Sequence, residues 1–241
     1  MQDQIRSGSL ILGVAIVLGL ASLGYLLGNA AFSVKALERT VTVKGLSERV
    51  VAANIAIWPV TYQVASNDLD QIYNMVEANS RIIKEFLAAY GIAEDEISLS
   101  PPSVSDLYAQ QWGDKEHIKF RYTGSAAVTV YSENVAAVRE AMSNVVQLGK
   151  QGVAVGGAPY PNQAADRFLF TRLSELKPEM IEEATKNARS VAEKFAQDSN
   201  SRLGKIQSAS QGQFSIVDRD STTPYIKKVR VVSTIKYYLS D

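Results

Sequence analysis

Thr40-Val41-Thr42-Val43-Lys44-Gly45 alternates polar and apolar side chains, the two-residue period of a strand with one buried face. Gly45 reads as the start of a turn, and a second strand follows from Val50. In that second strand Ala53, Ile55 and Ile57 hold one face, and after Pro59 the apolar set moves to Val60, Tyr62 and Val64. A proline at such a shift reads as a bulge or an edge position, because it cannot donate to a ladder. A sheet is therefore predicted to begin just downstream of residue 39.

Further on, the period lengthens. Leu69, Ile72, Tyr73, Val76, Ile83, Phe86, Leu87 and Tyr90 recur at helical spacing between Ser66-Asn67-Asp68 and Gly91, a start and a stop signal for a helix. Ile97 and Leu99 open an extended run that Pro101-Pro102 interrupts and Val104 and Leu107 continue. Phe120 and Tyr122 lead into Ala126, Val128 and Val130, which alternate as a strand. Ser132 reads as the cap of a second helix, with Val135, Val138, Met142 and Val145 on one face and Gly149 near its end. Val153 and Val155 form a short extended piece, and Phe168 and Phe170 another.

A third helix is predicted to begin near Pro178, a residue tolerated in a first turn. Its stripe of Ile181, Ala184, Ala188, Val191, Ala192 and Phe195 is narrow and alanine-rich, which places it close against a sheet or a partner helix. Two strands close the chain, one around Ile206 to Ile216 and one from Tyr225 to Leu239. In the last, Val229, Val231, Ile235, Tyr237 and Leu239 lie on one side, with Arg230, Thr234 and Lys236 opposite. The order is strand pairs alternating with three helices. Adjacent strands joined by turns favour antiparallel pairing, so the class is α+β.

Upstream of the sheet, no side chain between Arg6 and Lys35 carries a formal charge, and the middle reads Leu10-Ile11-Leu12-Gly13-Val14-Ala15-Ile16-Val17-Leu18-Gly19-Leu20. A bilayer core needs about 20 mostly apolar residues in helical form, and the stretch from Ser7 to Val34 is long enough. A cleaved signal is the competing reading, with Arg6 as its positive region and Gly28-Asn29-Ala30 as its small-residue site. The apolar core from Leu10 to Leu27 exceeds what such a signal needs, and Tyr25 and Phe32 stand where interfacial aromatics anchor a helix end. Residues 1–34 are therefore expected to be a transmembrane anchor or uncleaved signal, and residues 35–241 the domain it holds. Charge alone does not orient it, since Arg6 stands on one side and Lys35, Arg39 and Lys44 on the other. The signal-like shape favours a cytoplasmic N-terminus and a periplasmic domain, hence single-pass residence in a bacterial inner membrane.

At about 100° per residue, Gly8, Ala15, Gly19 and Ser22 share one face of this helix, and Gly13, Gly24, Gly28 and Ala31 the opposite face. Small residues let helix backbones approach in lipid. Ala15, Gly19, Gly24 and Gly28 are the candidate helix–helix contacts, and two opposed faces suit a ring of identical subunits.

Composition narrows the chemistry. The chain of 241 residues has 25 basic and 25 acidic side chains, a balance that argues against a nucleic-acid partner held by phosphate neutralisation. Cysteine is absent and His117 is the single histidine, so disulfides, thiolate nucleophiles and a multi-histidine metal centre within one subunit are excluded. Asp114, Glu116 and His117 cluster beside Trp112, but a solvated loop is the plainer reading. Asp218-Arg219-Asp220 reads as a turn with a local ion pair, and Lys227, Lys228 and Arg230 as its cationic neighbours. Gly149, Gly152, Gly156 and Gly157 lack the spacing and the strand-to-helix setting of a phosphate loop, and Gly-x-Ser-x-Gly is absent. Catalytic residues, cofactors and metals are not expected, and the protein is read as a non-enzyme.

The opening Thr40 to Gly45 with Ala53 and Ile55, the helix ending Tyr90-Gly91-Ile92, the segment Tyr122 to Val130, and the alanine-rich helix closing with Ser201-Arg202-Leu203-Gly204-Lys205-Ile206 together resemble a SIMPL domain, over roughly Val41 to Leu239. Lys177-Pro178-Glu179-Met180-Ile181 and Gln211-Gly212-Gln213-Phe214 are similar to runs in membrane-anchored bacterial members of unknown function. The resemblance implies a homo-oligomeric ring and a link to envelope or oxidative stress, since the wider family includes ring-forming periplasmic antigens and oxidative-stress-defence proteins. It supplies no agreed catalytic residues. Two other functions remain open at this stage: a pore- or channel-associated assembly, and a module binding a small molecule or peptide in a groove between sheet and helices.

Overall fold

The computed structural model describes residues 16–28, 39–109, 118–156 and 167–240. The chain is mixed α+β. It divides into two compact units: residues 1–48, 177–214 and 230–241 form one, and residues 49–176 and 215–229 the other.

The larger unit is built on a sheet of five strands: β2 (Ile55–Ser66), β3 (Ile97–Leu99), β4 (Ser103–Asp106), β5 (Tyr122–Ser132) and β6 (Arg167–Leu169). The order is β3-β5-β2-β6, with β4 also on β5, and every pairing is antiparallel. β2 and β5 pair without a break from Ala56↔Ser132 to Ser66↔Tyr122. The expected shift of face at Pro59 does not occur. Ala56, Trp58, Val60, Tyr62 and Val64 are all buried on one face, so Trp58 and not Ile57 fills the core. The amide of Gln63 and the carbonyl of Thr61 bond to Ala154 and Gly156, on the side away from β5. By strand parity the missing N–H of Pro59 points to that same side. There β6 has ended at Ile57↔Arg167, so the proline is an edge residue on one side of the strand and no bulge is needed.

A helix α1 covers residues 16–28. The core of the larger unit is closed by α2 (Leu69–Ala89), which follows its sequence signals closely. Asp68 caps it by accepting from the Asp70 amide at 2.9 Å, and Gly91 ends it at φ +79°, a backbone conformation that favours glycine. Ile72, Val76, Ile83, Phe86 and Leu87 are buried against the sheet. The second predicted helix is two: α3 (Val135–Ser143) and α4 (Val146–Lys150). Asn144 breaks it, its side-chain amide donating to the Glu140 carbonyl at 2.9 Å and competing with the helix ladder. The cap is Asn134, accepting from Ala137; Ser132 ends β5 instead.

A second sheet holds β1 (Thr40–Ala52), β9 (Ile226–Ser240) and β7 (Arg202–Gln211) in the order β1-β9-β7, with the short β8 (Ser215–Asp218) also on β9. Consecutive strands β1 and β2 were expected to pair. They belong to different sheets, because β1 finds its partner at the far end of the chain. The closing segment read as one strand from Ile206 to Ile216 is divided into β7 and β8. β9 behaves as its alternation predicts, burying Val229, Val231, Ile235 and Tyr237.

The helix α5 (Leu173–Asp198) starts earlier than Pro178, which sits inside it. Its buried residues are Met180, Ala184, Ala188, Ala192 and Ala196, a spacing of four, whereas Val191 and Phe195 are exposed. The alanines bring the helix backbone down onto β1. A Cβ on Gly45 would lie 1.8 Å from the Ala184 carbonyl oxygen and 2.5 Å from the Ala188 nitrogen. Gly45 is therefore a mid-strand residue chosen for close approach, not the start of a turn. Among the described residues the domain thus has four α-helices, α2 to α5, in place of the three expected.

Candidate functional site

A cavity of about 440 Å³ runs along one flank of α2. Tyr73, Val76, Glu77, Ser80, Arg81 and Lys84 form its helical wall, and Leu99, Ser100 and Pro102 the facing one. The helical residues recur at three- and four-residue spacing, so they lie on one strip beside the buried stripe. Leu99 is on the inner face of the sheet, level with Val128, yet 51% exposed because β3 is the edge of the sheet.

The groove has two unlike ends. Lys84 bonds Glu94 at 3.1 Å, which places the C-terminal half of α2 beside the turn that leads into β3. Ile72 and Val76 approach Gly124, whose strand partner is Val104, so the N-terminal half lies beside β4. The basic pair Arg81 and Lys84 thus marks the Ile97 end, and Tyr73 with Pro102 the other. Arg81 stands 4.0 Å from Glu85. Both cations sit in exposed pairs, which hold little energy and exchange partners readily.

The floor is rigid. Tyr62 is fully buried, donates to the Val76 carbonyl at 3.0 Å and lies 2.7 Å from the Ser80 hydroxyl. Burial pushes the Tyr62 phenol up, with the Ser80 bond opposing, so it stays a neutral hydrogen-bonding group. Among the described residues, β5 is the one strand that pairs with β3. The Ser100 amide donates to Ala127 on β5 at 2.9 Å, so by alternation the Leu99 N–H and C=O point away from β5, toward the groove's outer side.

The sequence placed its candidate residues elsewhere. Ala15 and the cluster of Trp112, Asp114, Glu116 and His117 lie outside the described residues, as does Gly157. Gly19, Gly24 and Gly28 are on α1 with nothing within 4 Å of where a Cβ would stand. Asp218 ends β8, and the chain bends at Arg219, where the local ion pair that was read joins Arg219 to Asp220. The Asp220 carboxylate accepts from the amides of Thr222 and Thr223 at 3.0 and 2.7 Å and from the Arg219 guanidinium at 2.9 Å. Thr223, Thr222 and Arg219 hold its carboxyl far below the ordinary carboxylate range. Lys227 is buried on β9 and its ammonium pairs with Asp218. Among the described residues no three of His, Cys, Asp and Glu converge as metal ligands. No motif announced the groove. Its traces in the sequence are the Tyr73, Glu77, Ser80, Arg81, Lys84 strip and an apolar strand stopped by two prolines.

A family model, SIMPL, described as a protein of unknown function (DUF541), matches residues 41–234. No curated protein matches the chain.

Proposed function

The chain belongs to the SIMPL family, and from that premise we propose that it is a membrane-tethered assembly protein with a structural or interaction role in the bacterial envelope. One observation carries the reading. Every residue of α1 from 16 to 27 is exposed, and the large ones are apolar all round: Val17, Leu18, Leu20, Leu26 and Leu27 are 62–65% exposed and Tyr25 74%. A helix apolar on all sides is stable only when lipid or other protein covers it. Among the described residues no helix is long and apolar enough to cross a membrane; α1 is one part of the uncharged run from Ser7 to Val34, whose other residues lie outside the described set.

In this reading the run spans the inner membrane once, with the domain in the periplasm. Gly19, Gly24 and Gly28 leave room for neighbouring helices, so anchors of identical copies gather and their domains form a ring. The role is non-enzymatic, and the family resemblance links it to envelope or oxidative stress. Light scattering on detergent-solubilised full-length protein tests the assembly: a single mass well above 26.3 kDa, after subtraction of detergent, is expected, and a monomer would overturn it. Protease added to spheroplasts tests the topology: the domain is expected to be digested, and protection until lysis would contradict a periplasmic site.

A further inference from the structure

We propose that the outer edge of β1, with the flank of α5 above it, is where two copies of this chain join about a two-fold axis, β1 pairing antiparallel with its own copy. The proposal rests on the tethered-assembly reading and deepens it by naming the surface through which copies meet. The contact joins copies in pairs; growth of the pairs into a ring uses a different surface.

The backbone defines the edge. The Leu239 amide donates to the Arg39 carbonyl at 2.8 Å, so residue 39 faces β9. By alternation Thr40, Thr42, Lys44 and Leu46 turn their N–H and C=O to the other side, where among the described residues no further strand follows β1. The Asn187 side-chain amide donates to the Leu46 carbonyl at 2.8 Å and closes the edge there. What is left is Thr40, Thr42 and Lys44, centred on Thr42.

Water satisfies such an edge, but not the side chains above it. Asn187, Val191 and Phe195 recur every four residues on one strip of α5, and the Asn187 bond sets that strip over the β1 edge. Arg189 and Glu193, whose charges act on Tyr237 of β9, mark the opposite flank. Val191 is 40% exposed and Phe195 55%, so large apolar groups stand beside open main-chain groups.

The patch is complementary to itself. α5 runs antiparallel to β1, since Ser47 bonds Glu183 near one end and Arg39 bonds Ser201 at the other. Gly45 lies between Ala184 and Ala188. At about 3.4 Å per strand residue and 1.5 Å per helical residue, Thr42 is level with a point midway between Val191 and Phe195. A two-fold axis at Thr42 therefore sets Val191 of each copy against Phe195 of the other. It also sets Thr42 opposite Thr42 and Lys44 opposite Thr40, whereas an axis at Lys44 would oppose two like charges. The helices have room: Ala188 and Ala192 pack with Val43 of β1 and with Ile235 and Tyr237 of β9, so α5 rides between the two strands. With strands about 4.8 Å apart, two such helices come to lie about 10 Å apart, the spacing of packed helices.

A few strand residues and two apolar side chains per copy bury about 1,000 Å² in all, the lower limit of a specific interface. The tether supplies the rest. α1 ends at residue 28 and β1 begins at Thr40, which keeps the edge of every copy within about 40 Å of its anchor and raises the effective concentration of one edge for another.

The chain has no cysteine, so one introduced thiol reports its own surroundings. Detergent-solubilised full-length Thr42→Cys, mildly oxidised, should form a disulfide-linked dimer, because opposed residues of a hydrogen-bonded antiparallel pair stand about 5.5 Å apart at Cα, within disulfide reach. Ile206→Cys, on the exposed strand at the far edge of the same sheet, should lose this cross-link. Adding the surface change Phe195→Asp to Thr42→Cys should lower the dimer yield at least about tenfold, and Phe195→Leu should retain most of it. No Thr42→Cys dimer from protein whose light-scattering mass exceeds one chain would overturn this contact and leave the assembly reading standing; a monomeric mass without cross-link would overturn both. Equal cross-linking through Ile206→Cys, or full cross-linking despite Phe195→Asp, would also overturn the contact.

Discussion

The helices α2 and α5 are each laid on one face of a sheet, yet they pack in opposite ways. α5 presents alanine at every fourth position from Ala184 to Ala196 and descends until its backbone touches that of β1 at Gly45. α2 presents Ile72, Val76, Ile83, Phe86 and Leu87, whose bulk holds its axis away from the sheet. Standing off, it leaves a flank open beyond the edge strand, and that flank is the groove. Small residues make a contact that excludes everything; large ones make a core with a rim that can admit a ligand.

Substitutions can break this contrast, and the largest effect is expected on the tight side. Gly45→Val should cost more than about 3 kcal/mol or prevent folding, since the helix must lift away from the strand; urea unfolding followed by far-UV circular dichroism measures it. Near-wild-type stability would mean that the close approach is not built as described. On the α2 side the most sensitive position is the anchor beneath the groove. Tyr62→Phe removes a buried hydroxyl bonded to Val76 and Ser80 and should cost about 1–2 kcal/mol by the same assay. Asp68→Ala should cost about 1 kcal/mol through loss of the α2 cap. Leu99→Ala, on the open rim, should change stability by less than about 1 kcal/mol, and a larger loss would mean that Leu99 belongs to the core.

The smallest effect concerns the turn at Asp220, outside both helices. Its carboxyl is depressed in the folded state, so the stability it contributes is present in full above its ordinary value of 3.8. That contribution is lost only as pH falls through the lower folded value. Wild type and Asp220→Asn should therefore differ in melting temperature at neutral pH, keep that difference through the ordinary carboxylate range, and converge only well below it. Convergence already near pH 3.8 would show that the carboxyl is not depressed.

Much of the contrast was legible in the sequence. The helix start after Ser66-Asn67-Asp68, the stop at Gly91 and the alternation of β9 were read directly, because each rests on local backbone physics. The close seat of α5 followed from its alanines. What failed was anything that depends on a distant partner. A glycine that interrupts an alternating strand looks alike whether it turns the chain or admits another backbone, and the helix that decides for Gly45 is far away in sequence. Val191 and Phe195 have helical spacing and apolar side chains, but only alanines fit where the helix meets backbone. The groove was illegible because its residues are ordinary amphipathic surface until β3 is known to be an edge.

The helix α1 has neither kind of packing, and its exposed apolar surface underlies the proposed function. Flotation of purified full-length protein with phospholipid vesicles on a density gradient, followed by alkaline carbonate washing, addresses it most directly. The account predicts that the protein rises with the lipid and stays there after the wash. Protein left at the bottom of the gradient, or stripped by carbonate, would contradict it.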